Sequence, residues 1–132
     1  MIQAATTTEQ LLLGKLDRFV DLVKSRDMAL LDELWGDGDF LMVGSGKAEI
    51  CRTREELRTK LRSVFATPAI LTFDWPERTV TVVGNAAWIF ATGDVVIRSP
   101  TGDIRSPYLV TCIFEKVGTD WRWRQFFGSE PA

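Results

Sequence analysis

The stretch TVTVVGNAAWIFATGDVVIR, residues 79–98, decides the fold. Thr79 to Val83 and Ala86 to Arg98 are two runs rich in β-branched and aromatic residues, and Gly84-Asn85 between them is the two-residue connection of a tight hairpin. Both faces of the second run are apolar. Ala86, Trp88, Phe90 and Val96 lie on one side, and Ala87, Ile89, Ala91, Val95 and Ile97 on the other. An antiparallel sheet with one wet face alternates apolar and polar residues more cleanly than this. Helices can cover one face. A second copy of the same sheet is the economical cover for the other, with a bend in the strand as the alternative reading.

Downstream, Ser99 to Asp103 forms a turn, Tyr108 to Val117 returns as a strand, and Gly118-Thr119-Asp120 turns again into the closing stretch TDWRWRQFFGSE, residues 119–130. A period of two sends Trp121, Trp123, Gln125 and Phe127 to one side and Arg122, Arg124 and Phe126 to the other. Upstream, Ile70 to Trp75 reads as a strand that Pro76 bends or places at an edge. Three helices precede it. Thr6, Thr7 or Thr8 caps the first, whose buried stripe is Leu12, Leu16, Phe19 and Val23 and whose end falls near Ser25. Asp27 caps a short second helix carrying Leu30, Leu31, Leu34 and Trp35, broken by the Gly36–Asp39 run. Phe40 to Val43 is a short strand followed by a Gly44-Ser45-Gly46 loop. Thr53-Arg54-Glu55-Glu56 is a capping box that opens the third helix, with Leu57 and Leu61 inside and Thr67-Pro68 at its end. Helices grouped ahead of a strand meander give an α+β class.

The totals set further limits. A chain of 132 residues, 45% apolar and 26% charged, suits one soluble domain spanning residues 1–132, with residues 1–7 expected to be poorly ordered. Sixteen basic and 18 acidic residues leave a net charge of -2, too little positive charge for a general nucleic-acid binder. No apolar run approaches the roughly 20 residues that span a bilayer, so no membrane partner is expected, and the opening residues carry no signal-peptide pattern. A cytoplasmic setting with Cys51 and Cys112 reduced is the expectation. There is no histidine, which removes the usual general base and the commonest zinc ligand. No phosphate-loop, dinucleotide, nucleophile-elbow or paired-cysteine motif occurs, so neither a cofactor nor a metal is expected.

The segments DRFVDLVKSRDMALLDELW, DFLMVGSGKAEICRTREEL, TVTVVGNAAWIFATGDV and YLVTCIFEKVGTDWRWRQFFGSEP, in that order, resemble the NTF2-like superfamily and within it the SnoaL-like and DUF4440-type small domains. The resemblance implies a cystatin-like cone: helices packed in a strongly curved antiparallel sheet, with a pocket at the wide end. Members include isomerases, dehydratases, cyclases, epoxide hydrolases and proteins without catalytic activity, so the fold alone does not give the function. The positions where ketosteroid-isomerase-like members hold a tyrosine donor, a carboxylate base and a protonated acid look matched here by Phe19, Val43 and Thr111, none of which can take the role in full. Many SnoaL-like sequences close on W-x-x-x-x-x-H-x-S. Trp121 to Ser129 fits that pattern, with Phe127 in the histidine position.

The resemblance places the candidate site among a few polar groups between aromatic walls. Glu49 follows the first strand and is the first candidate for a catalytic base, against a solvated loop carboxylate or a partner for Arg52 or Arg54. Asp39 is the second, against a turn residue that caps local amides. Phe19, Trp35, Val43, Trp88, Thr111, Trp123, Gln125 and Phe127 are the candidate ligand contacts, with plain core or strand propensity as the alternative for each aromatic and for Thr111. Thr111 and Tyr108, three apart on a strand, face opposite ways. The partners expected are a small hydrophobic molecule and a second copy of the chain. The two functional classes left are a non-catalytic binding domain and an isomerase, lyase or cyclase that uses Glu49 or Asp39 as base. A carboxylate inside the pocket would count against the simple binding reading.

Overall fold

The computed structural model describes residues 2–46 and 49–131, the side chains of residues 2–6 excepted. In chain order it contains α1 (Ile2–Lys24), α2 (Ala29–Leu34), β1 (Leu41–Val43), β2 (Ile50–Cys51), α3 (Arg54–Phe65), β3 (Ile70–Val83), β4 (Ala86–Ser99), β5 (Gly102–Val117) and β6 (Asp120–Ser129). Helix α1 starts at Ile2, so the threonines expected to cap it lie inside it. Of residues 1–7, expected to be poorly ordered, residue 1 and the side chains of residues 2–6 lie outside the described residues. The N-cap of α2 is Met28 and not the expected Asp27, which stands one residue earlier with its carboxylate accepting from the amide of Ala29 at 2.9 Å. The capping box of α3 is complete. Thr53 Oγ1 accepts from the Glu56 amide at 3.1 Å, and Glu56 Oε1 accepts from the Thr53 amide at 3.2 Å.

The six strands form one strongly curved sheet in the order β2-β1-β6-β5-β4-β3. Neighbours are antiparallel except β1 and β6, which run parallel, so the expected antiparallel sheet carries one parallel pairing. Two hairpins turn as read. Val83 pairs with Ala86 across Gly84-Asn85, and Val117 pairs with Asp120 across Gly118-Thr119. Gly84 and Gly118 hold φ of 59° and 64°, at the first central position where such turns call for glycine. Two elements escaped the sequence reading. The two-residue β2 lies in what reads as a loop, and β5 begins at Gly102, six residues before Tyr108.

Two bulges bend the sheet. In β3 the register jumps from Asp74↔Asp94 to Glu77↔Thr92, which leaves Trp75 and Pro76 opposite Gly93 alone. A Cβ on Gly93 would sit 1.9 Å from the Asp74 carbonyl oxygen, so only glycine admits this approach. In β6 the register jumps from Ile113↔Gln125 to Phe114↔Trp123, which makes Arg124 the extra residue. The Arg124 guanidinium has several acceptors waiting: it donates to both carboxylate oxygens of Asp37 at 2.9 Å, to the Asp39 carbonyl at 3.1 Å and to Glu115 at 2.7 Å.

The bulge at Arg124 reverses part of the expected facing. Trp121 and Trp123 point inward with Phe126, while Gln125 and Phe127 point outward. On β5, Tyr108, Val110, Cys112 and Phe114 are buried, which places Tyr108 inside and Thr111 outside. The core lies between this concave face and the stripe Leu12, Leu16, Phe19 and Val23 of α1, with Phe19 stacked on Phe126 at 4.8 Å and 5.8 Å from Trp123. Burial of each such leucine or aromatic contributes about 1.5–3 kcal/mol. That packing, more than intrinsic propensity, holds the helix in the cone.

Candidate functional site

Helix α3 builds one wall of the cone mouth. Leu57, Lys60, Leu61 and Val64 recur at i, i+3, i+4 and i+7, which puts the Lys60 ammonium in an otherwise apolar stripe. Across from it the β1–β2 connection folds Glu49 back, with the Gly44 amide donating to the Glu49 carbonyl at 2.7 Å and the Glu49 amide donating to the Gly46 carbonyl at 3.2 Å. The Glu49 side chain lies on the backbone of this loop. A Cβ on Gly44 would come within 2.5 Å of one carboxylate oxygen, and one on Gly46 within 2.3 Å of the other.

These elements enclose a cavity of about 110 Å³ between α1, α3 and the concave sheet face. Phe19, Val23, Leu57, Leu61, Val64, Phe65, Leu71, Phe73 and Phe126 supply the apolar lining, and Glu49, Lys60, Tyr108 and Cys51 supply the polar atoms. Drug-sized sites occupy roughly 300–1,000 Å³, so the space suits a small occupant. Glu49 is the single acidic residue of the lining among the described residues, and Lys60 Nζ stands 3.7 Å from its Oε2. Both side chains are more than a third exposed, so the pair is worth at most about 1 kcal/mol.

Tyr108 is the polar group at the buried end of this set. Its ring stands 5.4 Å from Phe73 and 6.4 Å from Trp75, whose indole N–H donates to the Tyr108 carbonyl at 3.2 Å. Burial, with the Glu49 and Glu130 carboxylates nearby, pushes its phenol up to about 12, while the Ser45 hydroxyl works the other way. At neutral pH the hydroxyl is therefore a proton donor and not a base. Burial also raises Cys51 and Cys112, so neither thiol is a poised nucleophile. Ser45 Oγ donates to Glu130 Oε1 at 2.8 Å and joins the β1–β2 loop to the C-terminal segment. Among the described residues no three cysteine or acidic side chains gather as a metal site.

Of the residues expected at the site, the structure places Glu49 and Phe19 on this cavity. Asp39 is elsewhere. It belongs to the turn after α2, where Asp37 accepts from its amide at 3.3 Å and its own carbonyl accepts from Arg124. Trp35 is core, packed edge-on against Phe40 at 5.3 Å. Trp123 is buried on the concave face but outside this lining. Val43, Trp88, Thr111, Gln125 and Phe127 lie on the outer face, in cross-strand rows with one another. The physical reason is the strand period: Phe127 pairs with Thr111, which pairs with Phe90, and an exposed Phe90 fixes the whole row outside. Tyr108 and Lys60 were missed. The signal for Lys60 was its place in the stripe of α3; for Tyr108 it was the choice of strand phase.

That outer face carries Trp88, Phe90 and Phe127 at 37%, 43% and 46% exposure, with Ile113 between them. Large aromatics clustered on one sheet face are unusual for a surface that meets only water.

Comparison with known proteins agrees with this architecture. The model of the SnoaL-like domain family matches residues 14–132. Among curated proteins, none matches the chain. Similar crystal structures include a candidate dehydratase of the NTF2-like family from Streptomyces avermitilis, 16% identical, with 97% of this chain and 99% of that one covered at a TM-score of 0.82. A candidate scytalone dehydratase from Novosphingobium aromaticivorans is 9% identical, with 100% and 89% covered at 0.84. An NTF2-like superfamily protein from Salmonella enterica is 16% identical, with 97% and 94% covered at 0.81. The chain belongs to the SnoaL-like domain family, and its fold is that of the NTF2-like superfamily. No helix among the described residues is long and apolar enough to cross a membrane.

Proposed function

We propose that the protein binds a small, mostly apolar molecule in the cone cavity, with the molecule's one polar end directed at Glu49, Lys60 and the Tyr108 hydroxyl. The observation that carries this reading is the composition of the lining, an apolar chamber with Glu49, Lys60, Tyr108 and Cys51 as its few polar side chains. The test is native mass spectrometry of protein purified from its producing cells, alongside Val64→Trp, which fills the chamber from the half-buried face of α3. A retained small molecule lost in Val64→Trp is expected. Identical retention by the variant would place the binding elsewhere and refute the proposal.

One observation favours a catalytic version. The lining contains a carboxylate facing a chamber that also holds a protonated phenol, which is the pairing of base and hydrogen-bond donor that proton transfer next to a carbonyl requires. In that reading Glu49 abstracts the proton and Tyr108 stabilises the enolate oxygen, as an isomerase, lyase or cyclase would need. Asp39 has no part in it. Proton NMR of cyclohexenone in D2O separates the two versions. Catalysis predicts enzyme-dependent deuterium uptake, with Glu49→Gln slower by about 10²–10⁴-fold. Uptake equal to buffer would leave binding alone.

The exposed aromatics Trp88, Phe90 and Phe127 support association of two copies through their outer sheet faces. Trp88→Glu with Phe90→Glu should give a monomer in sedimentation velocity, whereas a wild-type protein already monomeric at 100 μM would refute it. Two buried, unpaired cysteines are in keeping with a cytoplasmic setting.

A further inference from the structure

A second and larger hollow, about 580 Å³, opens between the middle of α1, the end of α2 and the turn between β5 and β6. It shares no lining residue with the cone cavity. Leu34, Trp121 and Trp123 form its apolar floor, all three buried. Helix α1 contributes Leu11, Gly14, Lys15 and Arg18, spaced i, i+3, i+4 and i+7 and so on one helical face.

Two independent features mark this hollow as a site and not a packing fault. Gly14 lies in the middle of a 23-residue helix, where glycine is unfavourable, and beyond its chain neighbours and its own helix backbone no atom lies within 4 Å of where its Cβ would stand. Packing therefore does not require the glycine, and its effect is to deepen the hollow. The charges are also unbalanced in their pairing. Asp37 is held by Arg122 and Arg124, and Glu33 accepts only from Nε of Arg18. Lys15 and the terminal nitrogens of Arg18 keep free donors, with Asp120 the one acidic lining residue that has no ion pair among the described residues.

We infer that this hollow binds a small aromatic carboxylate. The ring lies on the floor of Trp121 and Trp123, where offset or edge contacts between rings are favourable. The carboxylate meets Lys15 and the free Nη groups of Arg18, one helical turn apart and suited to a charge-assisted, forked contact. The site is independent of the cone cavity.

The test uses 1-naphthoate as probe, with 1-naphthamide as its neutral isostere, followed by ¹⁵N-resolved NMR of the tryptophan indole groups. Saturable shifts of the Trp121 and Trp123 indole signals are expected with 1-naphthoate. Binding should weaken at least tenfold for the amide and at least tenfold for Lys15→Glu. Gly14→Leu, which projects into open space and removes a helix-interior glycine, should abolish the shifts without lowering the urea midpoint, and Val64→Trp in the cone cavity should leave them unchanged. Absence of saturable shifts, equal affinity for acid and amide, or loss of the shifts in Val64→Trp would each overturn the proposal.

Discussion

Gly128→Ala gives a direct measure of how tightly the cone mouth is built. A Cβ at position 128 would stand 2.0 Å from Tyr108 Oη, 2.6 Å from Cζ and 2.8 Å from Cε1. Ordinary contact begins near 3.4 Å, so the phenol tip must move by about 1.4 Å (3.4 less 2.0). Phe73 and Trp75 block one direction, which leaves movement into the cavity. Overpacking of this kind costs about 1–3 kcal/mol. With a urea slope of about 2 kcal/mol/M, the midpoint should fall by about 0.5–1.5 M, followed by tryptophan fluorescence. The partner of the clash can be trimmed. Tyr108→Phe removes Oη, the nearest contact becomes 2.6 Å, and the required movement falls to about 0.8 Å. In the Tyr108→Phe background, Gly128→Ala should therefore cost less than in the wild type, a coupling of at least about 0.5 kcal/mol. A Gly128→Ala protein with an unchanged midpoint, or costs that add within about 0.3 kcal/mol, would refute the placement of Tyr108 against β6.

Asp37→Asn tests the electrostatic knot between the α2–β1 loop and β6. Hydrogen bonds from Arg124, then from Arg122, outweigh burial and hold the Asp37 carboxyl well below the usual carboxylate range. A depressed folded-state pKa gives stability that is complete above the unfolded value near 4 and lost as pH falls toward the folded one. Wild type should exceed Asp37→Asn by about 1–2 kcal/mol at pH 7, after allowance for the pair's partial exposure. The difference should narrow as pH falls below about 4, and a pH-independent gap in urea midpoints would contradict the account. Thr53→Ala removes one half of the α3 capping box and should cost about 1 kcal/mol, with faster amide exchange at Glu56. Unchanged exchange there would show that the cap does not hold the helix start.

Local signals carried much of this molecule on their own. The stripe Leu12, Leu16, Phe19 and Val23, the Thr53–Glu56 capping box and the Gly84 and Gly118 turns each depend on residues within one turn or one hairpin, so spacing alone reveals them. The order of helices and strands, and with it the α+β class, follows from those, while the cone was implied by the resemblance to the NTF2-like superfamily. Glu49 also stood out, because it follows the first strand, where the resemblance to SnoaL-like domains implies the pocket mouth.

Facing did not follow from spacing. A period of two puts Phe127 with Trp121 and Trp123, yet the extra residue at Arg124 reverses the phase, turns Phe126 inward and leaves Gln125 and Phe127 outside. That bulge is fixed by acceptors distant in sequence, Asp37 and the Asp39 carbonyl, more than 80 residues away. Tyr108 took the inner position and Thr111 the outer by plain alternation along β5, where Tyr108, Val110, Cys112 and Phe114 share the buried face. The sequence determined which elements form. The tertiary hydrogen bonds that place two bulges decided which side chains meet in the cavity, because adding one residue to a strand exchanges its two faces.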